Sequence, residues 1–243
     1  MSIRSLRSAM AFLTVLPVAA AEGAPGERLG RAYFPVVGAF IGFLAGIAFG
    51  VMTALTTPLL AAVAATALIA LLTGALHLDG VADAADGLLG GGDTARRLEV
   101  MRDPRLGSFG TTAVVLVLAG CVAAIASMTP ARAIVALVIA GAMSRLAMLA
   151  VIAFVPYVRQ SGLGSVAWGG HRAFDLILGS IFVVAVSLLD WRRAAAALTV
   201  VAITAVMISA LARRRIGGAT GDVYGATAEL CQLAALIVFA SRV

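Results

Sequence analysis

Just past the end of a long apolar run, the stretch HLDGVADAADG, His77 to Gly87, places three aspartates close together. On a helix turning ~100° per residue, Asp79, Asp83 and Asp86 fall within an arc of roughly 60°, so their carboxylates share one face. Such a face repels itself unless a cation lies between the acids. Hard oxygen donors select a divalent ion such as Mg²⁺. The competing reading is an acidic helix face that water solvates, which the adjoining apolar run disfavours. His77 lies well away from the aspartate face, and either a general-base role or a hydrogen bond that orients a neighbour suits it.

Three further stretches carry polar chemistry. Leu98 to Gly110 reads LEVMRDPRLGSFG and, with the residues before it, supplies Arg96, Arg97, Arg102 and Arg105 beside Glu99 and Asp103. That mixture suits a metal-bound phosphate ester, because acids hold the cation while guanidinium forks hold phosphate oxygens. A second stretch, FVPYVRQSGLGS, offers Tyr157, Arg159 and the Gly162/Gly164 pair as a loop that phosphate can approach closely. The last polar loop, RRRIGGATGDVYGATAE from Arg213 to Glu229, brings Thr220 and Asp222 to the mouth of an apolar run and Glu229 about two turns into it. Arg145 follows Ser144 in the middle of another apolar run. Charged residues at that depth mark functional sites and need a polar cavity or a partner of opposite sign.

The elements that position these residues are membrane helices. The chain is 243 residues long, 62% hydrophobic and 12% charged, with a mean hydropathy of +1.06, which leaves too little polar surface to cover a soluble globule. It is an all-α, polytopic integral membrane protein with a single domain over residues 1–243. Spans of bilayer length are expected at 34–54, 58–76, 110–128, 133–155, 174–189, 194–211 and 223–240. All 18 basic residues are Arg, and the net charge is +6. There is no aromatic-basic interleaving to suggest nucleic acid. With the N-terminus inside, thirteen Arg fall in inner segments and four in outer ones, counting along the sequence, which orients the polar loops to the cytoplasm.

Residues 1–21 resemble a signal peptide, but cleavage would flip every later loop, so they are read as a retained amphipathic or half-buried segment interrupted by Pro17. Gly38, Gly42, Gly46 and Gly50 form a four-residue ladder that lets a neighbouring backbone approach. Cys121 and Cys231 sit in apolar runs as small hydrophobes, and His171 sits in a loop. A homo-oligomer is possible.

Taken together, HLDGVADAADG, LEVMRDPRLGSFG, the Ser144-Arg145 pair, PYVRQSGLG from Pro156 and GGATGDVYGATAE from Gly217 resemble the cobalamin synthase family, the adenosylcobinamide-GDP ribazoletransferases. The likeness runs nearly end to end. It implies a Mg²⁺-dependent membrane enzyme that joins adenosylcobinamide-GDP to α-ribazole or its 5′-phosphate, releasing GMP. It also implies that Asp79, Asp83 and Asp86 are cation ligands and that the Met101–Gly107 loop and Thr220–Asp222 are site walls. The candidate substrate-binding residues are Arg102, Asp103, Arg105, Arg145, Tyr157, Arg159, Thr220 and Glu229. One departure stands out: the family pattern places a second acid three residues after Glu229, where this chain has Gln232.

Residues and resemblance agree on phosphoryl transfer, with a ribose hydroxyl attacking the cobinamide-side phosphorus. The proton acceptor is open among Asp86, Asp222 and His77. An alternative is an enzyme like the CDP-alcohol phosphotransferases, whose aspartate motif DGxADxxDG resembles, although the usual DGxxAR arrangement is missing. A divalent-ion transporter is a weaker alternative, because the charges cluster at one membrane face instead of tracing a path through it. Intramembrane proteolysis is excluded by Ala219 in place of the first Gly of GxGD, and by the spacing around Gly162.

Overall fold

The computed structural model describes residues 2–18, 29–159, 163–167 and 172–241. The fold is all-α. The expected Gly162 and His171 roles lie outside the described residues.

Helix α1 (Ile3–Leu13) begins at Ser2, which accepts the Ser5 N–H, and buries Ala9 and Leu13. Its Phe12 ring stacks on Phe34 at 5.6 Å, so the amphipathic reading of this segment holds. A 3₁₀ turn (Arg31–Tyr33) leads into α2 (Phe34–Leu55), and α3 (Pro58–Leu72) follows. Proline in the first two positions starts α2, α3 and α7 (Pro130–Phe154), where a missing N–H costs nothing.

The glycine ladder of α2 packs on α7 as expected. A Cβ on Gly38 or Gly42 would collide with the backbone of Gly141 or Leu137, and one on Gly46 would sit 2.7 Å from the Ile134 Cα. Backbones this close gain dispersion contacts that lipid cannot match.

The expected span at 58–76 is corrected: α3 ends at Leu72, and the chain bends by 89° into α4 (Leu76–Leu89). Gly74 and Ala75 make the bend with positive φ values of 59° and 56°, and for alanine that conformation is strained. The "polar loop" after the second span is therefore largely helical. It holds α4, then α5 (Thr94–Val100), before α6 (Ser108–Ala126) re-enters the apolar layer.

After α7 come a short helix α8 (Leu163–Ala167), then α9 (Arg172–Ser187), a 3₁₀ turn (Leu188–Asp190), α10 (Trp191–Ile216) and α11 (Gly221–Ala240). Among the described residues five helical stretches are long and apolar enough to cross a membrane, or six with the bent α3–α4 pair. The expected spans 174–189 and 194–211 form one such stretch, Ala173–Ile216. It turns back on itself, because its two ends meet the same end of the bundle. Asp175 bonds Arg31 before α2, and Arg213 donates to the Phe154 carbonyl at the end of α7. Arg213–Arg215 belong to the last turn of α10 rather than to a loop, where they complement the helix dipole.

Val206 and Met207 on α10 are each 67% exposed, as suits helices solvated by lipid. The best-buried surfaces belong to α7 and α11, which carry Arg145 and Glu229.

Candidate active site

The site forms where α4 crosses the start of α11. Two glycines allow the crossing: a Cβ on Gly80 would lie 2.9 Å from the Asp222 carbonyl oxygen and 3.1 Å from the Gly225 Cα, and one on Gly225 would press on the His77 backbone at 3.2 Å. The aspartate face of α4 is thereby set against Asp222. Asp83 lies in the fields of Asp222, Asp79 and Asp86 on one side and of Arg159 on the other.

The three aspartates differ in their engagements. Asp86 spends both oxygens on the start of α6, accepting the Gly107 N–H at 2.8 Å and the Gly110 N–H at 2.9 Å. Any Cβ at Gly107 or Gly110 would overlap that carboxylate. Asp86, expected as a ligand and a base, thereby also braces the 101–107 loop and satisfies two orphan helix donors. Asp79 and Asp83 have no hydrogen-bond or ion-pair partner among the described residues. Among those residues no three His, Cys, Asp or Glu side chains converge tightly enough to enclose a metal ion. Asp79 and Asp83 thus stand without partners close to Asp222, whose own carboxylate is held by Arg159 and Thr220.

The other wall comes from two loops joined by backbone hydrogen bonds. The Ala219 N–H donates to the Pro156 carbonyl at 2.8 Å, and the Val158 N–H donates to the Ala219 carbonyl at 3.0 Å. Thr220 caps α11 by accepting the Val223 N–H, and its hydroxyl donates to Asp222 Oδ2 at 3.1 Å. It is buried behind Asp222, which it holds in place. Arg159 pairs with Asp222 at 2.8 Å and donates to the Met101 carbonyl at 3.2 Å, tying this wall to the 101–107 loop. Its buried Nε–H has no partner among the described residues.

Between the walls lies a cavity of about 230 Å³ lined by His77, Asp79, Tyr157, Arg159, Gly164, Gly221, Asp222, Tyr224 and Gly225, with Phe12 of α1 and Leu76 at its apolar side. Tyr157 and Tyr224 lie 6.0 Å apart, and burial raises the Tyr157 phenol above its ordinary pKa.

Not every expected residue reaches this cavity. Arg105 forks onto Asp103 at the surface, with contacts of 2.7 and 2.9 Å, and holds that carboxyl down to about 2. Arg102 is exposed, near enough for its charge to act on Tyr157. Arg145 and Glu229 are buried behind His77. Arg145 donates to Gln232 Oε1 and Ser144 Oγ, each at 2.9 Å. The Gln232 departure is therefore a neutral acceptor for a buried guanidinium whose charge Glu229 already offsets.

Several contributors carry weak sequence signals. Arg97 is buried and donates to the Gly87, Leu88 and Gly92 carbonyls, closing the end of α4. Arg31 pairs with Asp175 at 2.9 Å and donates to the Ala167 carbonyl, seating α8 against the bundle. Of Gly80, Gly225, Gly107 and Gly110, only Gly80 adjoins an aspartate in the sequence; Gly107 and Gly110 meet Asp86, and Gly225 meets His77, across the fold.

Comparison with known proteins adds independent findings. The family model described as cobalamin-5-phosphate synthase matches residues 5–240. The adenosylcobinamide-GDP ribazoletransferase of Stutzerimonas stutzeri (strain A1501) is 38% identical over 239 residues, covering 97% of each chain. The protein of the same name from Pseudomonas syringae pv. syringae (strain B728a) is 40% identical, over 96% of this chain and 97% of its own. That from Bradyrhizobium diazoefficiens is 36% identical, over 98% of this chain and 94% of its own. No solved structure matches.

Proposed function

The chain belongs to the cobalamin-5-phosphate synthase family, and from that membership we propose that it joins adenosylcobinamide-GDP to α-ribazole, or to α-ribazole 5′-phosphate, with release of GMP. The observation that carries this reading is the meeting of Asp79 with the Arg159–Asp222 pair around one cavity, with Asp83 close enough to feel the charge of all three. Transfer at phosphorus asks a protein for alignment and for charge opposite the phosphate oxygens, more than for covalent chemistry.

Asp79 and Asp83, with Asp222 across from them, suit Mg²⁺: their oxygens are hard donors, and a magnesium ion commonly takes one or two carboxylates and leaves the rest of its shell to substrate phosphates. When bound, the ion would polarise the diphosphate and offset charge developing on its oxygens. Arg159, whose Nη2 is held by Asp222 and the Met101 carbonyl, presents its remaining N–H groups to phosphate oxygens. A ribose hydroxyl attacks the cobinamide-side phosphorus. A new P–O bond forms to the ribose, the bridging P–O bond breaks, and GMP leaves with that bond's electrons. Asp222 accepts the hydroxyl proton at the cavity wall. Arg102 and Arg105 stand outside, where the charge of the departing nucleotide emerges.

A cavity of about 230 Å³ suits the reacting diphosphate and ribose; the corrin ring remains beyond it. The excess of Arg at this end of the bundle supports an orientation towards the cytoplasm across the inner membrane.

The test is product analysis by mass spectrometry. Purified protein in liposomes receives adenosylcobinamide-GDP, α-ribazole and Mg²⁺. Equal amounts of a cobalamin and GMP are expected, and neither should form without α-ribazole. Absence of both products, or release of CMP from a CDP-alcohol instead, contradicts the proposal.

A further inference from the structure

The apolar side of the cavity ends at His77, and the group behind it is a fully buried arginine. Arg145 is 0% exposed in mid-α7. Its stem passes Gly38, where a Cβ would lie 3.2 Å from Cδ. One terminal nitrogen is fixed by Ser144 and Gln232; the other lies 3.2 Å from His77 Nδ1. A guanidinium has donors and no acceptor, so in this contact the arginine donates and Nδ1 accepts. Glu229 Oε1 lies 3.8 Å from the same nitrogen. That is beyond hydrogen-bond reach, and it leaves Glu229 to offset the arginine's charge within the apolar layer. An imidazole accepting at Nδ1 carries its hydrogen on Nε2. Nε2 has no partner among the described residues, while the ring lines the cavity.

We infer that Arg145 is a positioning residue that fixes His77 as an Nε2–H donor at the cavity wall, where it hydrogen-bonds an oxygen of the substrate's diphosphate. The ligand half of this inference rests on the reaction proposed above; the tautomer half stands on the geometry alone. One consequence is a division of labour. His77 neither accepts the nucleophile's proton nor ligates a metal, since one nitrogen is engaged and the other bears hydrogen. The intramembrane charges Arg145 and Glu229 serve the site through it. A second consequence concerns Gln232. A neutral acceptor there anchors Arg145 without adding a second carboxylate to the apolar interior.

Nitrogen-15 labelling of histidine tests the tautomer without turnover. The chain has only 2 histidines, so a His77→Gln spectrum assigns the signals. In the wild type, the two-bond couplings of the imidazole should identify Nε2 as the protonated nitrogen. In the paired variant Arg145→Met with Glu229→Gln, which keeps the interior neutral, the single tautomer should give way to a mixture. A wild-type His77 protonated at Nδ1, or an unchanged tautomer in the paired variant, overturns the inference.

Turnover tests the donor role. A glutamine amide nitrogen reaches the place of Nε2, and an asparagine does not. His77→Gln should retain transfer within about 10-fold, whereas His77→Asn should lose roughly 100-fold or more, the scale of one removed electrostatic donor. Equal losses in the two variants overturn the donor role. Wild-type protein that forms no GMP contradicts the proposed reaction, and the spectra still decide the tautomer.

Discussion

Asp79, Asp83 and Asp86 share a helix face in the sequence, yet Asp86 parts from the other two. Asp86 is tied to the Gly107 and Gly110 amides, and Asp79 and Asp83 are left facing Asp222. The spacing that groups them says nothing about which acid finds a partner, because the partners are backbone amides more than twenty residues away. Asp86→Ala should therefore act mainly on stability, lowering it by about 1–3 kcal/mol as two helix donors lose their acceptor; the thermal midpoint in detergent reads this. Arg159 is the opposite case, since its loop position marks it as a candidate and the structure gives it two jobs at once. Arg159→Lys keeps the charge but loses the fork. It should reduce transfer by roughly 10- to 100-fold with little change in thermal midpoint, measured as GMP release.

Helices were readable where apolar runs reach bilayer length, and each expected span has a helix close to it. The bend after Leu72 was not readable, because Ala75 carries no residue-type signal for a positive φ. The joining of Pro156–Val158 to Ala219 was hidden for a different reason: it is a non-local backbone pairing, and only the glycines of the two loops hint at it. The α4–α11 crossing depends on Gly80 and Gly225. Gly80→Val forces the helices apart and moves Asp79 and Asp83 away from Asp222. A displacement near 1 Å at a reacting centre costs about 100-fold. That loss of GMP release is expected in protein that still purifies as a folded species, and a fully active Gly80→Val would show that the crossing does not set the site.

For the whole molecule, the charge asymmetry and the site share one end. Arg213–Arg215, the α4–α5 segment and the 155–159 loop gather there, while Arg132, Arg192 and Arg193 mark the other end. That arrangement suits an enzyme working from one side of a bilayer more than a conduit through it. Orientation is testable with single cysteines, since native Cys121 and Cys231 are buried. Arg214→Cys should react with an impermeant maleimide only after cells are opened, and Arg192→Cys should react in intact cells. The reverse pattern would place the site outside.

In the proposed reaction Asp79 and Asp83, with Asp222 across from them, hold a divalent cation against a diphosphate. GMP release by Asp83→Asn, compared with wild type in Mg²⁺-containing liposomes, tests it most directly. The substitution keeps the size of the side chain and removes its charge. The expected result is at least a 100-fold loss, about 2.7 kcal/mol of transition-state stabilisation, with normal membrane insertion and no rescue by added Mg²⁺. Turnover near the wild-type rate would contradict it.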